Sequence, residues 1–201
     1  MAVSRFSNST IANGFPKYQR FWDQSAVVIP ESYESIATVT VTSGGNASIQ
    51  FNSIPQTYKH LQVRAFLRDA RSATALNNYH MQINGDTGNN YVSHSIIHDG
   101  SSISAGYSTG LNKTDYFIDP STNTTPGIFA SSIWDILEYS STDRYKVIKH
   151  IGGYDNNGYG RMNYNSALWS NTDAINALTF SNSSNANFIQ YSSFALYGVK
   201  G

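Results

Sequence analysis

From residue 35 onward, apolar and β-branched positions alternate with polar ones in short runs divided by clusters of Gly, Asn, Ser and Asp. A period of two puts every second side chain on one face of an extended chain, so these runs predict half-buried strands. The clearest is residues 60–68, with Leu61, Val63, Ala65 and Leu67 on one face and His60, Gln62, Arg64 and Arg68 mainly on the other. Residues 35–42 and 48–51 flank Gly44-Gly45-Asn46 and predict a hairpin. Residues 79–84 and 91–97 flank a Gly/Asn-rich loop at 85–90 and predict a second strand pair. Further strands are expected near 115–118, 128–137, 145–151, 161–169, 175–180 and 188–199. Only residues 69–77, rich in alanine, admit a helical turn.

Roughly ten short strands with regular turn signals predict an all-β fold: a two-sheet antiparallel sandwich, jelly-roll-like, over residues 31–201, with an extended N-terminal arm over 1–30. The arm lacks sustained periodicity, yet it holds Phe6, Phe15, Tyr18, Phe21 and Trp22 around a Gly14-Phe15-Pro16 break. A solvated linker is polar and poor in aromatics, so this segment is expected to lie against its own domain or a neighbouring subunit. Contact in trans is the favoured expectation because aromatic anchors are enriched at interfaces. Phe15, Tyr18, Phe21 and Trp22 are the candidate anchoring residues.

Composition narrows the partners. Charged residues make up 13% of the chain, against about a quarter in ordinary proteins, and 13 basic residues balance 13 acidic ones. Without a net positive field, a nucleic-acid backbone or an anionic membrane is a poor partner. A neutral surface also favours association. Cysteine is absent, which removes disulfides, thiolate metal sites and a cysteine nucleophile. The N-terminus carries no apolar run after Arg5, and no stretch approaches 18 apolar residues, which predicts synthesis in the cytoplasm without a signal peptide and no membrane insertion.

The residues that could carry chemistry form no compelling pattern. His94 and His98 point to one face of a strand about 13 Å apart, too far to share a metal. No Gly-x-Ser-x-Gly turn marks a nucleophilic serine. Asp135, Glu138, Asp143 and Asp155 could supply paired carboxylates for glycan cleavage, but an acid at a strand end more often meets solvent or a cation such as Arg144. Asp86, Asn89 and Asn90 in one loop, and Asp155-Asn156-Asn157-Gly158 in another, offer hard oxygen ligands for calcium; the same residues are what tight turns require. No catalytic residue, metal or cofactor is therefore expected. Tyr154, Tyr159, Tyr164 and Trp169, in a Gly/Asn-rich context, are candidate glycan-stacking residues; the alternative is that they are core or interface aromatics.

Four stretches together carry a family resemblance: Lys17-Tyr18-Gln19-Arg20-Phe21-Trp22-Asp23, Ile54-Pro55-Gln56-Thr57-Tyr58-Lys59-His60-Leu61-Gln62-Val63-Arg64, Asn84-Gly85-Asp86-Thr87-Gly88-Asn89-Asn90-Tyr91, and Tyr191-Ser192-Ser193-Phe194-Ala195-Leu196-Tyr197-Gly198. With these the chain resembles small structural proteins of tailed bacteriophages, often marine or cyanobacterial. The resemblance implies a non-enzymatic component of the virion exterior, assembled through the arm onto other virion proteins. It implies a capsid decoration or head-fibre subunit, or else a tail-fibre or receptor-binding subunit that binds host surface glycan. A homo-oligomer, with a trimer favoured, is the expected assembly.

Overall fold

Twelve strands make up the described part of the protein, residues 32–201 of a computed structural model. They are β1 (Tyr33–Thr40), β2 (Ser48–Phe51), β3 (His60–Leu67), β4 (Leu76–Ile83), β5 (Tyr91–His98), β6 (Ile103–Leu111), β7 (Phe117–Pro120), β8 (Ala130–Leu137), β9 (Lys146–Asp155), β10 (Gly160–Trp169), β11 (Leu178–Asn182) and β12 (Ser193–Val199). Two antiparallel sheets pack as a sandwich, one in the order β1-β12-β3-β8-β9-β10-β5-β6 and the other β2-β11-β4-β7.

The chain crosses between sheets at each step from β1 to β4, and again along β7, β8, β11 and β12. That wrapping is a jelly roll of eight strands, as the alternating pattern predicts. Two hairpins are inserted into it: β5–β6 between β4 and β7, and β9–β10 between β8 and β11. Both join the same sheet and double its width.

One-faced burial explains why these strands lie where they do. Leu61, Val63, Ala65 and Leu67 of β3 are all buried, as are Trp134 and Ile136 of β8 and Phe194 and Leu196 of β12. They meet Ile49, Tyr79, Met81, Ile83, Leu178 and Phe180 of the smaller sheet. Trp134 is central, with ring centroids 5.7 Å from Tyr79, 5.7 Å from Phe117 and 5.1 Å from Phe180. Such edge-on and tilted contacts suit the quadrupoles of aromatic rings.

Three local expectations are corrected. Residues 35–42 and 48–51 are strands but not a hairpin: β1 pairs with β12 and β2 with β11. Gly44 and Gly45 take left-handed φ values of 98° and 73°, and Asn46 bridges to Phe188, so the chain crosses the sandwich instead of folding back. Likewise β4 and β5 lie in different sheets. Residues 69–77 contain no helical turn, because the Asp69 carboxylate accepts from the Arg71 amide (3.0 Å) and the Asn77 side-chain amide (2.5 Å), which captures the backbone in a loop.

Candidate interaction surface

Residues paired in register across neighbouring strands share a face, so the outer surface of the large sheet can be read row by row. One row is Ile133-Ile151-Tyr164-Ile96-Ala105, crossing β8, β9, β10, β5 and β6 without a polar side chain. The next is Phe66-Ser131-Gly153-Met162-His98-Ile103. On the other side runs Gln62-Asp135-Lys149-Ser166-His94-Tyr107, which is polar until its end. Gln62 donates to Asp135 (2.7 Å) and Arg64 donates to Gln62 (2.7 Å), giving the apolar rows a hydrogen-bonded polar border.

These apolar side chains are open to solvent. Phe66, Ile96, Ile103, Tyr107, Val147, Ile151, Met162 and Tyr164 range from 45% exposed at Val147 to 72% at Ile103. The contiguous ones, Ile96, Ile103, Tyr107, Ile151, Met162 and Tyr164, offer on the order of 600 Å² at about 100 Å² apiece, the upper end for the largest patch on an ordinary monomer, where such patches often mark interaction sites. A groove of about 410 Å³ runs among Ile96, Ala105, Tyr107 and Tyr164.

The opposite face of the added hairpins is polar and closed. Asn163 and Asn165 donate to the carbonyl of Tyr116 at 2.7 and 2.6 Å, and the Ser93 hydroxyl accepts from the Asp115 amide at 3.0 Å, so the segment between β6 and β7 seals this side. Beneath it, His150 lies between Phe117 and Trp134, its Nε2 3.2 Å from the Tyr79 hydroxyl. Burial lowers the imidazole pKa to about 3. Asp119 is fully buried, and neither carboxyl oxygen has a hydrogen-bond partner among the described residues. Burial first, and the nearby Asp69 carboxylate second, push its carboxyl well above the usual range. Both groups are sealed away from solvent and do not meet a substrate.

The fold brings only two of the glycan-stacking candidates together, Tyr154 and Tyr159 lining one groove, with Tyr154 largely buried in its wall. Trp169, at 1% exposure, presents no ring to a sugar. Alternation along β9 and β10 turns Tyr154 and Trp169 inward. Tyr159 and Tyr164 are exposed but lie about 16 Å apart along the chain, so they form no common platform. Tyr159 sits in the β9–β10 turn with the Arg161 guanidinium 5.2 Å from its ring centre, and Arg161 pairs with Asp99 at 3.1 Å. These residues line a groove of about 330 Å³ together with His98 and Asp155. Phe15, Tyr18, Phe21 and Trp22 lie outside the described residues.

The remaining candidates have structural partners. His94 and His98 both face outward from β5, and His94 stacks on Tyr107 with centroids 5.8 Å apart. Glu138 is held by Lys59 (3.0 Å) and Arg144 (2.6 Å), with Asp143 on the same guanidinium at 2.8 Å. Asp86 accepts from the Gly88 amide (2.8 Å), the Asn90 side chain (2.9 Å) and Trp169 Nε1 (2.7 Å), while Asn84 and Gly85 take φ values of 53° and 67° in the turn before it. Asn157 and Gly158 likewise take positive φ between β9 and β10. Asp86→Ala should cost about 1–3 kcal/mol in urea unfolding, because it leaves the buried Trp169 N–H without a partner.

Strand β6 has no counterpart among the predicted strands, since Ser, Gly and Thr interrupt its apolar positions. The signal that marks it is the alternation Ile103, Ala105, Tyr107. The apolar rows are invisible along the chain because each strand contributes only one or two members. No protein-family model matches the chain, and no curated protein or solved structure matches it significantly. Fold and surface therefore define its class: a jelly-roll sandwich with a widened sheet and an apolar outer face.

Proposed function

We propose that the protein is a non-enzymatic structural component of a bacteriophage virion, placed on the particle exterior as a capsid decoration or head-fibre subunit and anchored through residues 1–30. The observation that carries this reading is the exposed apolar outer face of the large sheet, of the size that marks an interaction site. The charge-poor composition and the virion-protein resemblance support it. Other virion proteins are the partners the reading requires.

The double variant Ile151→Glu and Tyr164→Glu puts two charges in the middle of the apolar row at exposed positions. Far-UV circular dichroism is expected to stay unchanged while incorporation into particles falls at least tenfold. Deleting residues 1–25 should have a comparable effect. Normal incorporation of both variants would sink the proposal, and antibody labelling of virions distinguishes head from tail.

The groove beside Tyr159, with its cation, acids and one exposed ring, favours a second reading as a tail-fibre or receptor-binding protein that binds host glycan. A glycan array on the full chain, compared with Tyr159→Ala, tests it: binding lost on substitution supports this reading, and an array without binding rejects it.

A further inference from the structure

A sheet edge presents unpaired amide and carbonyl groups, and proteins that stay monomeric guard such edges with charge, proline, bulges or shortness. The described residues form four edges. β2 is four residues long. β7 is equally short, entirely buried, and ends in Pro120. β1 breaks register between Ser35 and Ala37 and carries Glu34, paired with Lys200 at 2.9 Å. β6 breaks register with β5 only near its end, between Ser108 and Leu111, where Gly110 takes φ 65°, and its stretch from Ile103 to Ser108 has none of these guards. The whole strand runs nine residues, Ile-Ser-Ala-Gly-Tyr-Ser-Thr-Gly-Leu, about 30 Å, with no charge and no proline.

The strand is also held ready. Tyr116, itself at φ 67°, lays its ring beneath Gly106, where an added Cβ would approach the ring to 3.3 Å. Its hydroxyl lies 3.0 Å from that of Ser108. The edge is thus packed from below by a side chain that any Cβ at this point would push back by a few tenths of an ångström. Above it, Ile103 and Tyr107 are the two most exposed large apolar residues among those described, at 72% and 70%.

We infer that β6 is a homotypic docking edge, on which the β6 of a second copy pairs antiparallel about a twofold axis through Ala105 to join two large sheets into one. An antiparallel pair of identical strands sets residue i opposite its reflection through the axis. Ile103 then faces Tyr107 of the other copy on the outer side, Ala105 faces Ala105, and Ser104 faces Gly106. Aromatic against β-branched is a favourable cross-strand pair, and it occurs twice, with small residues between. Homotypic pairing usually fails because like charges meet at the axis; this strand has no charge to oppose. The strand edges and their flanking side chains bury on the order of 500 Å² per copy, the lower end for a specific complex, so the pair should dissociate on dilution. Its twofold symmetry differs from the trimer that the family resemblance implies. The inference rests on β6 alone and stands whether or not the protein belongs to a virion.

The chain contains no cysteine, so one introduced thiol reports on one contact. In the full chain, Ala105→Cys under a mild oxidant is expected to give a covalent dimer, because residues directly opposed in an antiparallel pair have Cα atoms about 4.5–5.5 Å apart, within disulfide range. Thr109→Cys should not crosslink, since its two copies would lie about 27 Å apart. Analytical ultracentrifugation should show a dissociating dimer for the wild type. The double variant Ile103→Lys and Tyr107→Lys should shift it to the 22.1 kDa monomer with an unchanged circular dichroism spectrum. The inference is overturned by a wild type that stays monomeric to about 100 μM, where pairs weaker than roughly 5 kcal/mol escape detection. It is equally overturned by dimers or trimers indifferent to the lysines, or by equal crosslinking at 105 and 109. If deletion of residues 1–25 is needed before Ala105→Cys crosslinks, the arm and not a second copy occupies the edge, and the inference also fails.

Discussion

Asp119→Asn is expected to stabilise the protein at neutral pH and to remove a decline of stability that begins as pH rises above about 4. The folded protein holds a proton on this buried, unpaired carboxyl that the unfolded chain releases near pH 4. A raised carboxyl contributes its full stability below the unfolded value and loses it as pH rises. Each unit above about 4 costs about 1.4 kcal/mol until the folded group itself ionises. Asparagine keeps the shape and cannot ionise, so the cost vanishes. Thermal unfolding from pH 4 to 9 measures it as a higher Tm of the variant at neutral pH. A variant with the wild-type profile would mean that Asp119 is ionised and satisfied in the folded protein.

The second large effect has the opposite sign. His150 is buried with its pKa lowered to about 3, whereas the unfolded chain takes up a proton near pH 6.5. Stability from this residue is complete above 6.5 and drains away as pH falls toward 3, by roughly 5 kcal/mol over the whole interval. Above pH 4 the two residues act against each other. The wild type should therefore change less with pH there than either variant, Asp119→Asn rising toward pH 6.5 and His150→Gln falling from about pH 4. Urea midpoints at half-unit pH intervals distinguish the three shapes. A glutamine variant as acid-sensitive as the wild type would remove His150 from the account.

Both residues sit in a part of the sandwich that the sequence describes only in outline. Residues 145–151 read as a strand, and Ile148 and His150 do point inward, yet alternation gives a polar side chain the same inward position as an apolar one. What surrounds His150 comes from Phe117, Trp134 and Tyr79, each on a different strand. The same limit governed the tyrosines. Tyr154 and Tyr164 read alike as exposed aromatics near glycine, and only the pairing of β9 with β10 turns one inward and the other out.

Strand assignment followed local signals closely where burial was one-sided and the apolar residues were bulky, as in β3. It failed at β6, where Ser and Gly hide the alternation. Turn chemistry located the breaks but not their sense. Asn84-Gly85 and Gly44-Gly45 mark turns equally well, and neither says whether the next strand returns to its own sheet or crosses to the other.

By itself the sequence determined that this is a β-sandwich with few charges, no cysteine and an aromatic N-terminal segment, because period-two burial and composition act residue by residue. The tertiary structure decided the rest. Two inserted hairpins widen one sheet, align three isoleucines, a tyrosine and an alanine from five strands into an apolar row, and leave the uncharged β6 at the sheet edge. The physical reason is that strand neighbours are set by long-range hydrogen-bonded pairing, and a surface made of one residue from each strand has no signature along the chain.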